Sequence, residues 1–282
     1  GIAKMLNFAH GDVIMIGSYV VYFAFGASGL NPVLSIVLSM IVCTILGVVI
    51  ERLAYRPLRE APSLAVLITA IGVSYLLQQV AQLSWSSNPK SFTSVVSGMK
   101  PVSLFGGQLT ISAETIVTIV ACVVIMVVLM WFVNYTPAGH AMLAVSEDRG
   151  AAQLMGVNVN GTISLTFAIG SALAAIAGAL LCSSYPTLQP TTGAMPGIKA
   201  FVAAVFGGIG SIPGAMVGGI LLGGIGSIPG AFLGGILLGI IENLSKAYIS
   251  TQLSDAIVFL VLVVVLIVKP TGLLGKKVNV KV

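Results

Sequence analysis

An all-α fold is predicted for this sequence: a polytopic transmembrane bundle of about seven to nine spans or half-spans, with a short cytoplasmic helix between two of them. Three observations predict it. Of 282 residues, 57% are hydrophobic and 7% charged, where soluble domains carry roughly 25% charged residues. Apolar runs of about twenty residues recur, each long enough to cross a hydrocarbon core of roughly 30 Å. Basic residues gather in a few of the intervening segments, as they do on the cytoplasmic side of membrane proteins. With a mean hydropathy of +1.08, the chain has the bilayer as its solvent. Its net charge of +5 therefore speaks to orientation and gives no warrant for nucleic acid.

Residues 1–12, GIAKMLNFAHGD, are mixed, with Asn7, His10 and Asp12 beside apolar sequence. No basic-apolar-small leader precedes the apolar runs, and the sequence reads as N-terminally truncated by a helix or more. Runs 13–30 and 33–50 are split by Asn31-Pro32, which is turn chemistry. ERLAYRPLREAPS (51–63) follows, and Arg52, Arg56 and Arg59 make it the strongest basic loop, hence cytoplasmic. Run 64–83 crosses outward, and 84–112, polar and charged only at Lys90 and Lys100 before Glu114, suits an external loop or small hairpin. Run 115–133 returns, so parity puts 134–162 on the cytoplasmic side. Run 163–183 carries Ser171, Ala172, Ala174, Ala175, Ala177 and Gly178, small residues that let helices pack closely in lipid.

Residues 196–241 are apolar and dense in glycine, and one more run, 249–268, precedes Lys269, Lys276, Lys277 and Lys281. Those lysines belong inside, which requires an even number of crossings between 184 and 268. Here GGIGSIPGAMVGGILL (207–222) is followed at once by GGIGSIPGAFLGGILL (223–238), a tandem 16-residue repeat read as a recent local duplication. The glycines and proline of GSIPG interrupt an apolar helix, and such breaks are tolerated at membrane depth only inside protein or along a cavity. One break, with Gly207, Gly208, Gly210 and Pro213, fits a half-helix beside a translocation path. The second copy is expected as an irregular or displaced segment.

Catalysis finds little support. The two histidines, His10 and His140, are far apart and lack ligand-spaced partners, and neither GGIGSIPG completes a dinucleotide-binding glycine pattern. Cys43, Cys122 and Cys182 sit in apolar runs as bland buried cysteines, without metal or redox spacing. No catalytic residue, cofactor or metal is assigned. Polar residues at membrane depth are functional candidates by default. Asn7, His10 and Asp12 are expected to line a pathway or fix a broken helix; Gln78 and Gln79 lie within a run. Glu114, Glu242 and Asp255 read as interfacial residues at span ends.

The polar interval 136–161 contains one short helix. Ser146 is read as its N-cap, Glu147 and Asp148 place negative charge at the positive end of the dipole, and Gly156 is the stop. Ala151, Ala152, Leu154 and Met155 form a compact apolar face that needs a partner surface, since so short a helix cannot stand alone in water. A peripheral cytoplasmic partner on that helix is the economical reading.

These residues also carry a resemblance. Ala151–Gly156, AAxxxG, looks like the core of the coupling loop of ATP-binding-cassette (ABC) importer permeases. LNFAHGDVIMIG (6–17), TPAG (136–139), SEDRGAAQLMGVNV (146–159), KAFVAAVFGGIGSIPGAMVGG (199–219) and KPTGLLG (269–275) resemble the LivH-like permease subunits of branched-chain amino-acid ABC transporters. The resemblance implies a multi-pass protein of the bacterial inner membrane, a single permease domain over 1–282 with its coupling loop at 134–162. It implies as partners a second permease subunit, two cytoplasmic ABC ATPases, a periplasmic substrate-binding protein and the lipid bilayer. In that family's arrangement the 146–156 helix, with Ser146, Glu147, Asp148, Arg149, Ala151, Ala152, Leu154, Met155 and Gly156, sits in a cleft of an ATPase. Substrate would cross between the two permease subunits. The chain departs from the pattern in lacking the helix before LNFAHG and in repeating the 16-residue unit. His140, Leu143 and Gly161 stand where arginine is common, and Gly150 replaces a glutamate of the generic loop. The alternatives are the same architecture carrying urea, an amide or a sugar, an ion-coupled secondary transporter or channel, or a non-transporting assembly subunit.

Overall fold

In a computed structural model of the chain, residues 9–59, 61–96, 101–104, 109–206 and 260 are described. The chain divides into two compact units: residues 2–128 with 135–197, and Gly1 with 129–134 and 198–282. Asn7, Gly207, Gly208, Gly210, Pro213, both repeat copies, Glu242, Asp255 and the C-terminal lysines lie outside the described residues.

The elements follow from local chemistry. Helix α1 (His10–Val21) continues through a wider π-helical turn, Tyr22–Ala27. Helix α2 (Pro32–Ile50) begins at the Asn-Pro turn, where Asn31 Oδ1 accepts from Val33 N at 3.0 Å and Pro32 occupies the first turn. Helix α3 is Ser63–Trp85 and α4 is Ala113–Tyr135. Two shorter helices, α5 (Pro137–Glu147) and α6 (Arg149–Leu154), lead into α7 (Val159–Ser184), and α8 is Ala194–Phe206. Among the described residues four helices, α2 with its continuation (Pro32–Leu58), Leu64–Trp85, Ala113–Tyr135 and Val159–Ser184, are long and apolar enough to cross a membrane.

The arginine segment is not the loop that composition suggests. The α2 helix runs on through a π turn, Glu51–Tyr55, and a 3-10 turn, Arg56–Leu58. Glu51 and Tyr55, four residues apart on one face, are both buried, so packing holds the backbone helical beyond the apolar run. Short strands also occur. β1 (Lys90–Ser91) pairs antiparallel with β4 (Thr187–Leu188), tying the segment after α3 to the one after α7. β2 (Val102–Leu104) and β3 (Leu109–Ile111) make the small hairpin expected between 84 and 112.

Helix α1 is enclosed: Gly11 through Tyr19 and Val21 are buried, and the most extensive helix contacts are those of α7 with α2 and with α1. Small residues bring these backbones together. Ser171, Ala174, Ala175 and Gly178 form the buried face of α7, while Ala172 is half-buried and Ala177 exposed. A Cβ on Gly17 would stand 2.8 Å from Ala175 Cα, and Ser39 Oγ on α2 donates to Gly17 O at 2.8 Å. On Gly47 a Cβ would overlap the Ser171 side chain and stand 3.1 Å from Phe167 O. Gly47→Ala is therefore expected to force α2 from α7 and destabilise by about 1–3 kcal/mol, against a near-neutral Gly72→Ala, where no atom lies within 4 Å. Thermal unfolding of the two variants in detergent checks the contrast. Of the cysteines, Cys43 and Cys182 are buried as expected, but Cys122 is exposed, on a face of α4 that other described elements do not cover.

Candidate functional site

The polar interval folds as two helices, which corrects the single helix capped by Ser146. Thr136 caps α5, its Oγ1 accepting from Gly139 N at 3.0 Å, and α5 extends through Glu147. Ser146 lies in the last turn of α5 and donates to Leu143 O at 2.7 Å, so its hydroxyl turns back into α5. Asp148 is the cap that starts α6: extended at φ −146°, it accepts from Gly150 N at 2.7 Å and Ala151 N at 3.1 Å. A carboxylate there meets two orphan amides and the positive end of the helix at once. The stop is as read: Gly156, at φ +84°, takes the left-handed conformation that ends α6. Asn158 then caps α7 by accepting from Gly161 N at 3.0 Å.

The apolar residues of α6 divide between two sides. Ala152 is 4% exposed and belongs to the chain's own core cluster with Val145, Tyr55, Ile163 and Phe167. Leu154 and Met155 are 90% and 84% exposed, and Ala151 is also exposed. The expected four-residue face is therefore one inward anchor and three outward residues. A helix lying on a bundle shows only its far side, and Ala152 points the other way.

Beside α6, a buried charged network joins the end of α2 to the start of α7. Glu51, 0% exposed, is ion-paired with Arg59 and accepts from Ser164 Oγ at 2.6 Å. Arg59 also donates to Asn160 Oδ1, so the arginine segment and the α6–α7 junction share one end of the bundle.

A second polar cluster lies within α1 and α3. Asp12 is 1% exposed, and its carboxylate accepts from Ser74 Oγ and, at 2.9 Å, from Gln78 Nε2; Gln78 also reaches Ser74 Oγ at 3.4 Å. His10 is half-buried in the first turn of the same helix. Gln79, the neighbour of Gln78, faces outward. At the head of α4, Glu114 accepts from Ser94 Oγ at 3.3 Å, the helix-end position expected of it.

Sequence reasoning did not single out Ser74, Glu51 or Ser164. Ser74 and Gln78 are four apart in one apolar run, a spacing that puts both on one helix face. Glu51 opens the arginine segment and looks like one more surface charge until the helix is seen to continue.

The family described as branched-chain amino acid transport system / permease component matches residues 1–223. The high-affinity branched-chain amino acid transport system permease protein LivH of Salmonella typhimurium is 40% identical, covering 98% of this chain and 87% of the relative. The corresponding protein BraD of Pseudomonas aeruginosa is 40% identical over 98% of this chain and 88% of its own length. A fructose import permease protein of Rhizobium meliloti is 27% identical over 69% of this chain and 54% of its own length. No solved structure matches.

Proposed function

The chain belongs to the branched-chain amino acid transport permease family, and from that premise we propose that it carries branched-chain amino acids across the bacterial inner membrane within an ABC importer. A second permease subunit, two cytoplasmic ATPases and a periplasmic binding protein complete the assembly on this reading. This chain then does no covalent chemistry; ATP is hydrolysed elsewhere, and the work arrives through α6. The observation that carries the reading is α6 itself. Two large apolar side chains, Leu154 and the C-cap Met155, stand exposed at the end of a six-residue helix whose inner side is pinned by Ala152. Such a helix needs a cleft to sit in, and an ATPase supplies one.

Closure of the ATPases would push α6, and the shared core of Ala152, Tyr55, Ile163 and Phe167 would pass the movement to α2 and α7 as a rigid body. Asp12 with Ser74 and Gln78 is the proposed polar point along the path, with His10 less than a turn away. The branched-chain solute is favoured over a sugar because similarity to the LivH and BraD permeases spans nearly the whole chain, against 69% for the fructose permease.

The test is reconstitution with the ATPases and binding protein in vesicles: leucine, isoleucine or valine should stimulate ATP hydrolysis and accumulate, and a response to fructose alone would overturn the reading. The same vesicles test orientation. With Cys43, Cys122 and Cys182 replaced, Leu154→Cys should label from the ATPase side and Ser87→Cys from the opposite side. Labelling of both from one side would refute the topology.

A further inference from the structure

A cavity of about 600 Å³ opens where α3 ends, lined by Phe23, Leu83, Ser84, Trp85, Ser86 and Lys90. It is an open depression walled by aromatic rings. The Trp85 ring stacks on Tyr19 at 4.4 Å between centroids and meets Phe23 at 5.8 Å. Ser86 stands at φ +72°, a left-handed conformation unusual outside glycine, and turns the chain sharply after the helix. Lys90 is fixed by β1, whose ladder pairs it with Leu188, and its ammonium lies 5.9 Å from the Tyr22 ring centre. Among the described residues no carboxylate pairs with that ammonium.

The cavity's position matters as much as its lining. The apolar span Leu64–Trp85 ends at the cavity, so Trp85, Tyr22 and Lys90 fall where hydrocarbon gives way to lipid headgroups. Below it on α3, Leu76, Val80 and Leu83 are exposed at 61%, 48% and 87%, at spacings of four and three residues, which is one stripe of a helix. A cation with hydroxyls at the top and an apolar track running down from it match one kind of molecule. We propose that this cavity binds an anionic phospholipid, with its phosphate on Lys90 and the hydroxyls of Ser84 and Ser86, its glycerol against Trp85, and an acyl chain along Leu83, Val80 and Leu76. The aromatic wall lowers the local polarity around Lys90, which strengthens a charge-assisted contact to phosphate. The proposal rests on α3 crossing the membrane and holds whichever solute is carried.

Native mass spectrometry of the purified full chain in detergent, titrated with phosphatidylglycerol or phosphatidylcholine of equal acyl length, tests it. Phosphatidylglycerol is expected to be retained about tenfold more than phosphatidylcholine, falling about tenfold in Lys90→Gln and returning in Lys90→Arg. Leu83→Gln, which leaves the cation in place, should weaken the two-chain lipid severalfold while a short-chain phosphatidylglycerol is held as before. Retention in Lys90→Gln equal to the parent would overturn the proposal. So would displacement by millimolar inorganic phosphate, which would make this a simple anion site, or by millimolar leucine, which would make it a solute site. An apolar face occupied by a second permease helix would appear as loss of all lipid retention when that subunit is added, and would refute it equally.

Discussion

Leu154→Asp with Met155→Asp is expected to abolish uptake, by more than about a hundredfold, while the chain folds and inserts normally. Both side chains are almost wholly exposed, so the chain's own core loses no contact. Docked in a cleft, each would bury apolar surface contributing about 1.5–3 kcal/mol, and two introduced carboxylates would resist desolvation there. The measurement is co-purification with the ATPases together with uptake in vesicles. Normal association by the double variant would remove α6 as the docking element. Ala152→Trp looks similar from sequence but belongs to another experiment. Ala152 is buried in one core cluster with Val145, Tyr55 and Ile163, and a tryptophan there is expected to disrupt this chain's fold before any partner is met.

Glu51→Ala is expected to destabilise the bundle by about 3–5 kcal/mol, a large part of the total stability of an ordinary domain. The carboxylate is fully buried and takes Arg59 and the Ser164 hydroxyl, and its loss leaves a nearly buried guanidinium without its counter-charge. Arg59→Ala should be comparably severe, because it strands the carboxylate instead. The double variant should be less damaged than the two single effects added, since each removes the charge the other left unpaired. Thermal unfolding in detergent, with the double-mutant cycle completed, reads this directly. Strict additivity would show that the pair does not act as a unit.

The site was partly legible before the fold. Asp12, Gln78, Gly156 and the small residues of run 163–183 stand out because each breaks the expectation for its surroundings: polar in lipid, glycine after a helix, small among large. Those are one-dimensional contrasts. The choice between Gln78 and Gln79 depends on the rotation of a helix about its axis, and that between Ser146 and Asp148 as cap on where α5 ends. A hydroxyl and a carboxylate near a helix start are both good caps, and the extension of α5 through Glu147 makes Asp148 the one with free amides ahead of it.

Composition and run length alone determine that the chain crosses a membrane as helices, because in hydrocarbon each span must satisfy its own backbone hydrogen bonds. Motifs scattered over the whole chain likewise carry the family. Three further features come only from tertiary contact: the inward turn of Ala152, the helix continuing through the arginine segment, and the meeting of Asp12 with Ser74 and Gln78. The pairs Asp12–Gln78 and Arg59–Asn160 are 66 and 101 residues apart. The Arg59–Asn160 meeting follows from how closely α2 and α7 approach at Gly47, and the Asp12–Gln78 meeting from the packing of α1 against α3; both distances are set by facing side-chain volumes on separate helices.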